Sequence, residues 1–247
     1  MNHCKTAILI VLLSITYQVS SQDKPDSTEL TELTRITVDS IKIPSADDAN
    51  KYERLTDEDY KEIADYLGIE IAAIKAVSDI EAGKSHKGFA RPGVPVINFD
   101  LSIFNRLLRR AKINPAKYRK KYPTAFSRVN VKKYGSYSNA QFARLESARK
   151  INENIANEST FWGMFQIGGF NWRRCGVSSI NEFIEKMNES EYMQLYLFAE
   201  FIKNSDMVKY LKNKNWKAFS LAYNGPSAIS KGYNKRMANA YAKYAKQ

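Results

Sequence analysis

Three clusters in the sequence carry residue types suited to chemistry, and the first is built around Glu81. A helical pattern runs from about Ile69 to Ala82 and closes at Gly83. Ile74, Val77 and Glu81 are spaced i, i+3, i+7, so Glu81 shares the apolar face, while Asp79 points to roughly the opposite side. A carboxyl at the end of a buried stripe is partly desolvated. Desolvation raises its pKa, which suits a general acid of the kind glycoside cleavage requires. On spacing alone, the end of an ordinary amphipathic helix accounts for Glu81 better than catalysis does.

The second cluster, Phe161 to Trp172, mixes aromatics, glycines and the amides Gln166 and Asn171. Glycines such as Gly163 let a ligand approach the backbone, aromatic faces stack on sugar rings, and amides bridge hydroxyl or acetamido groups. The competing reading is a core helix with a glycine end, with Trp162 and Phe165 in the core. The third cluster, Ala222-Tyr223-Asn224-Gly225-Pro226, ends a helix with a polar pair at a turn and is weak by itself. Between these lies Asp100. It is a candidate second carboxylate, and its position suits equally the N-cap of a helix through Ile103 and Leu107.

The elements that must hold these groups are mostly helical. Thr56 with Asp59 three residues on resembles a capping box, and Tyr60, Ile63, Ala64 and Leu67 follow at helical spacing up to Gly68. Helical patterns recur at about 100–111, 139–152, 178–188, 190–204, 215–223 and 234–246. The stretch 88–97, with its Pro-Gly turn and Val/Ile run, predicts a small hairpin. The fold class expected is therefore mostly α with one small β element.

Ahead of that domain, Lys5, the apolar run Ala7 to Ile15 and Val19-Ser20-Ser21 read as a secretory signal peptide over 1–21. The run falls short of the roughly 20 residues a spanning helix needs. Residues 22–54, with eight acids against five bases, Pro25 and Pro44, read as a flexible polar arm. Within it, Ile36, Val38, Ile41 and Ile43 hint at a short strand. The folded domain is placed at 55–247, and the protein is expected to be secreted or periplasmic.

Removing the signal leaves Cys175 alone, so no internal disulfide can form and Cys175 reads as a small buried hydrophobe. With two histidines in the whole chain, a metal site is not expected, and no cofactor is implied. The net charge of +12 asks for an anionic partner. Twelve bases and no acid fall in 101–145, interleaved with Tyr118, Tyr122, Tyr134 and Tyr137. For an exported chain, anionic wall polymers suit this stretch better than nucleic acid, and contact with membrane is peripheral at most. A solvated face that only aids solubility is the alternative. A monomer is expected.

Taken in order, the clusters resemble the lysozyme-like superfamily of goose-type lysozymes and lytic transglycosylases. Within it they are most similar to the N-acetylmuramidase family of phage endolysins. The resemblance rests on Ala73 to Val77 leading to Glu81, on Ile97-Asn98-Phe99-Asp100 leading to Ile103-Phe104, and on Trp162 to Ile167 with Gly169-Phe170-Asn171. It continues in Tyr223 to Pro226 followed by Gly232-Tyr233, and spans about Leu55 to Ala245. It implies a lysozyme-like helical domain that hydrolyses the β-1,4 bond between N-acetylmuramic acid and N-acetylglucosamine in peptidoglycan. Glu81 would protonate the leaving oxygen, and Gly163, Gln166, Tyr223 and Asn224 would hold the sugar.

This chain departs from the family pattern in having Ala82 where serine is usual and Asp100 where glutamate is usual. If Asp100 activates water, an inverting enzyme would hold it roughly 6.5–9.5 Å from Glu81. Without a second acid, the product would be an anhydro sugar, as in a lytic transglycosylase. A non-catalytic wall-binding protein is the remaining alternative.

Overall fold

A computed structural model describes residues 54–83 and 87–246. The expected signal peptide, nearly all of the polar arm and the strand hint at 36–43 lie outside the described residues. Helix α1 (Asp57–Leu67) begins as expected: the Thr56 hydroxyl accepts from the Asp59 amide, and the Asp59 carboxylate accepts from Thr56 N at 2.7 Å. It ends on Gly68 in the left-handed region. Helix α2 (Ile71–Glu81) buries Ala73, Ile74, Ala76 and Val77 completely. It is two residues shorter at its start than the periodicity predicts, because Glu70 is extended and serves as N-cap.

Two β elements follow instead of one. Strands β1 (Phe89–Arg91) and β2 (Val94–Pro95) form the expected hairpin, but Ile97 leaves it. Strand β3 (Ile97–Phe99) pairs antiparallel with β4 (Thr160–Trp162), and β4 with β5 (Ile167–Gly168). The core-helix reading of the segment from Phe161 is thereby corrected. Thr160 and Trp162 are buried while Phe161 between them is not, which is the period of a strand. The core assignments of Trp162 and Phe165 stand, at 1% and 2% exposed.

Between β3 and β4 run α3 (Leu101–Arg110), a short α4 (Val131–Tyr134), α5 (Tyr137–Arg149) and α6 (Glu153–Glu158), with 3-10 turns at Pro115–Tyr118 and Pro123–Phe126. Beyond β5, a 3-10 segment over Gly169–Cys175 leads to α7 (Ile180–Met187), α8 (Glu191–Lys203), α9 (Val208–Lys212), α10 (Trp216–Asn224) and α11 (Tyr233–Tyr244). The longer helices match the predicted ones to within a few residues. The short α4, α6 and α9 escape prediction, because one turn carries too little periodicity to read.

The core is a continuous apolar cluster. Phe165 stacks on Phe198 of α8 with centroids 4.4 Å apart, and Tyr223 stacks on Phe219 at 5.8 Å. Helix α11 packs along α2. Cys175 is buried as expected; burial pushes its thiol up to about 12, so it is inert as a nucleophile.

Candidate active site

Glu81 is the last residue of α2, and its half-buried carboxyl is where the helix leaves the core. Its Oε1 accepts a hydrogen bond of 2.8 Å from Asn224 Nδ2, at the end of α10 and 143 residues away in sequence. Burial pushes Glu81 up to about 7, and the Asn224 bond and the charge of Arg236 on α11 only partly offset this. Such a group is close to evenly divided between acid and base near neutrality. Asp79 instead hydrogen-bonds Tyr244 at the end of α11.

The turn between β4 and β5 is tied to the same place. Tyr223, adjacent to Asn224, donates from its hydroxyl to Phe165 O at 2.9 Å. The Glu81 charge is near enough to Tyr223 to help raise its phenol. The hydroxyl expected to touch sugar thus holds the backbone of the turn. Gly163 opens the turn at φ 70°, and a Cβ there would meet Gln194 Oε1 at 2.8 Å and Met187 Sδ at 2.9 Å, so only glycine fits. Gln166 closes it at φ 48°, a left-handed conformation costing about 1 kcal/mol or more for a residue with a side chain. Its Nε2 donates to Gly163 O at 2.9 Å, which leaves Oε1 as the end of the amide not used in this brace. Glu81, Asn224, Tyr223, Gly163 and Gln166 therefore form one connected group.

Asp100 stands apart from that connection. The Asp100 amide donates to Ser159 O, whereas the Gly163 amide donates to Val96 O, so the two lie at opposite ends of the β3–β4 ladder. That is four residues, about 13 Å, along the strand. Asp100 is the N-cap of α3: its Oδ1 accepts from Ser102 N at 2.7 Å, Ser102 Oγ at 2.6 Å and Ile103 N at 2.9 Å. Burial alone would raise its pKa, but these bonds together with the Arg144 charge hold the carboxyl below the usual range. It stays ionised where Glu81 is protonated.

Several residues that support the site carry no sequence signal. Gln194 on α8 is fully buried; its Oε1 accepts from Met164 N at 2.7 Å, and its Nε2 donates to Met187 O at 2.9 Å and Gly88 O at 3.3 Å. One turn earlier, Glu191 accepts from Gly88 N at 2.8 Å. Together they lock the hairpin that follows the Glu81 helix to the Gly163–Gln166 turn. A glutamine inside an apolar helix is the only trace, and it reads as one more helical residue until its partners are known. Among the described residues, no cluster of three His, Cys, Asp or Glu side chains is placed to hold a metal ion.

Comparison with known proteins places the chain in a family. Residues 70–245, well over half of the chain, match a family model described as N-acetylmuramidase. Among solved structures, the chain is similar to the crystal structure of a Burkholderia AP3 phage endolysin, at 34% identity and a TM-score of 0.66. The match covers 78% of this chain and 71% of that one. None of the curated proteins matches.

Proposed function

Starting from the fact that the chain belongs to the N-acetylmuramidase family, glycoside hydrolases of lysozyme type that cleave peptidoglycan, we propose how its own residues divide the reaction. Glu81 is the general acid. Its proton passes to the glycosidic oxygen as the bond from that oxygen to the anomeric carbon breaks. Water adds to the same carbon and gives its proton to Asp100, leaving a free reducing end. The observation that carries this reading is the direct Asn224–Glu81 bond at a carboxyl held near neutrality. It supplies an oriented acid of which a large fraction still carries its proton near neutrality. The contrast with Asp100, held ionised, gives the two carboxyls the opposite protonation states that an acid and a base need.

The polar groups left over would hold substrate. Gly163 allows close backbone approach, Gln166 offers its remaining amide oxygen, and Asn224 orients Glu81. Tyr223 serves by fixing the turn. The chain is exported by cleavage of residues 1–21 and acts outside the cytoplasmic membrane as a monomer, where its substrate lies; the Lys5, apolar-run, Val19-Ser20-Ser21 order supports export. The basic stretch adds attraction to anionic wall polymers: Arg119, Lys120 and Lys121 are all exposed. Mass spectrometry of digested sacculi tests the central claim. Muropeptides with free reducing ends are expected, and anhydro ends, lighter by one water, would reject water as the attacking group.

A further inference from the structure

The outward face of the β3–β4–β5 sheet carries groups that proton transfer at Glu81 does not use. Alternation along β3 sends Ile97 and Phe99 inward and leaves Asn98 exposed. Asn98 stands opposite Phe161, and Phe161 opposite Gly168, so the three form one row across the sheet. Phe170 lies over the end of that row. It meets Phe161 edge to face with centroids 6.1 Å apart, and a Cβ on Gly168 would strike its ring at 2.5 Å. Phe170 remains 39% exposed, and Tyr137 at the start of α5 53%.

The amide of Asn98 has a fixed polarity. Buried Arg144 donates from Nη1 to Phe99 O and to Oε1 of buried Gln141, each at 3.0 Å. Gln141 Nε2 then donates to Asn98 Oδ1 at 2.7 Å and to the Tyr137 hydroxyl oxygen at 2.8 Å. A guanidinium only donates, so every bond in the chain takes its direction from Arg144. Gln141 must turn its carbonyl inward and its NH2 to Asn98, and Asn98 must turn its carbonyl to Gln141 and its own NH2 outward, beside Phe161. The arrangement is costly as packing alone: a guanidinium is buried and its Nε has no hydrogen-bond partner among the described residues. Two residues beyond Phe161 begins the Gly163–Gln166 turn, which Tyr223 and Asn224 link to Glu81.

We propose that this sheet face is a subsite for an N-acetylated hexosamine of the glycan, with Asn98 Nδ2 donating to the acetamido carbonyl and the sugar ring lying against Phe161 and Phe170. An acetamido carbonyl can only accept, which matches the outward-turned NH2 of Asn98. The inference rests on the glycan-cleaving function and deepens it.

Asn98→Asp separates recognition from support. Its carboxylate still accepts from Gln141 and from the Tyr137 hydroxyl, which donates to Asn98 Oδ1 at 3.5 Å, so the internal chain survives, but the outward donor is gone. On soluble glycan strands in 0.5 M salt, where charge effects are screened beyond about 4 Å, Asn98→Asp and Asn98→Ala should both raise KM about five- to tenfold. The expected change in kcat is under twofold. Asn98→Asp should also melt within about 2 °C of wild type. A wild-type KM for Asn98→Asp, or a loss confined to kcat, overturns the proposal. On the Glu81→Gln background, adding Asn98→Asp should weaken binding of the β-1,4 tetramer of N-acetylglucosamine and leave that of the glucose tetramer unchanged. Equal effects on both, or on neither, also overturn it. A wild-type enzyme that releases no reducing ends from sacculi would instead remove the hydrolase function on which the subsite depends.

Discussion

Replacing Glu81 by Gln isolates the proton at the centre of the site. The glutamine keeps the length and the acceptor for Asn224 Nδ2, whose bond to Glu81 is 2.8 Å, but has nothing to donate to a leaving oxygen. General acid catalysis contributes typically 10²–10⁴-fold, so clearing of sacculi should fall by at least about 10². The same substitution should alter stability in a pH-dependent way. Folding raises Glu81 from 4.5 to about 7, so the native state favours the protonated form. That advantage is full below about pH 4.5 and is lost as pH rises through 7, where the native state must hold a desolvated carboxylate. At about 1.4 kcal/mol per pH unit the cost above pH 7 is at most about 3.5 kcal/mol. Solvent reaching a half-buried carboxyl reduces the expected figure to about 1–2 kcal/mol. Glu81→Gln should therefore melt about 3–6 °C above wild type at pH 8 and close to wild type at pH 4. Thermal melts at the two pH values, beside turbidity assays of both proteins, measure each half. Clearing at near wild-type rate would refute the acid role, and a melting difference independent of pH would refute the desolvation argument.

Arg236 holds Glu81 below the value burial alone would set, so Arg236→Gln should move the alkaline limb of the pH–rate profile upward by a few tenths of a pH unit. The shift should shrink at 0.5 M salt, as expected of an exposed charge. Gln194→Leu leaves Met164 N, Met187 O and Gly88 O without their shared partner. Unpaired buried groups cost about 1–3 kcal/mol each and not additively, so denaturant unfolding should show a loss of about 3–5 kcal/mol. Neutralising Arg119, Lys120 and Lys121 together should weaken sedimentation with sacculi several-fold at 0.1 M salt and make no difference at 1 M, where screening reaches about 3 Å; unchanged binding at low salt would leave these bases a role in solubility only.

What the chain determines locally is legible in its sequence. Periodicity puts Glu81 on the buried face of its helix because side-chain direction in a helix depends only on residues a turn or two away. The Thr56–Asp59 box, the Gly68 stop and the Asp100 cap are likewise settled within four residues. The order of the motifs is enough to indicate the family. The residues around Phe161 are ambiguous for a physical reason: a short apolar run fits a buried helix or a strand, and only pairing with Ile97–Phe99, more than sixty positions earlier, decides between them. The site itself belongs to tertiary structure. Glu81 acquires its raised pKa from how α2, α10 and α11 enclose it, Tyr223 is committed to Phe165 O by the approach of α10 to the turn, and Gln194 becomes a brace only once three distant backbone segments meet it. Local sequence sets which way a side chain points; burial and hydrogen-bond partners depend on segments that sequence distance cannot bring together, and those set its proton affinity and its role.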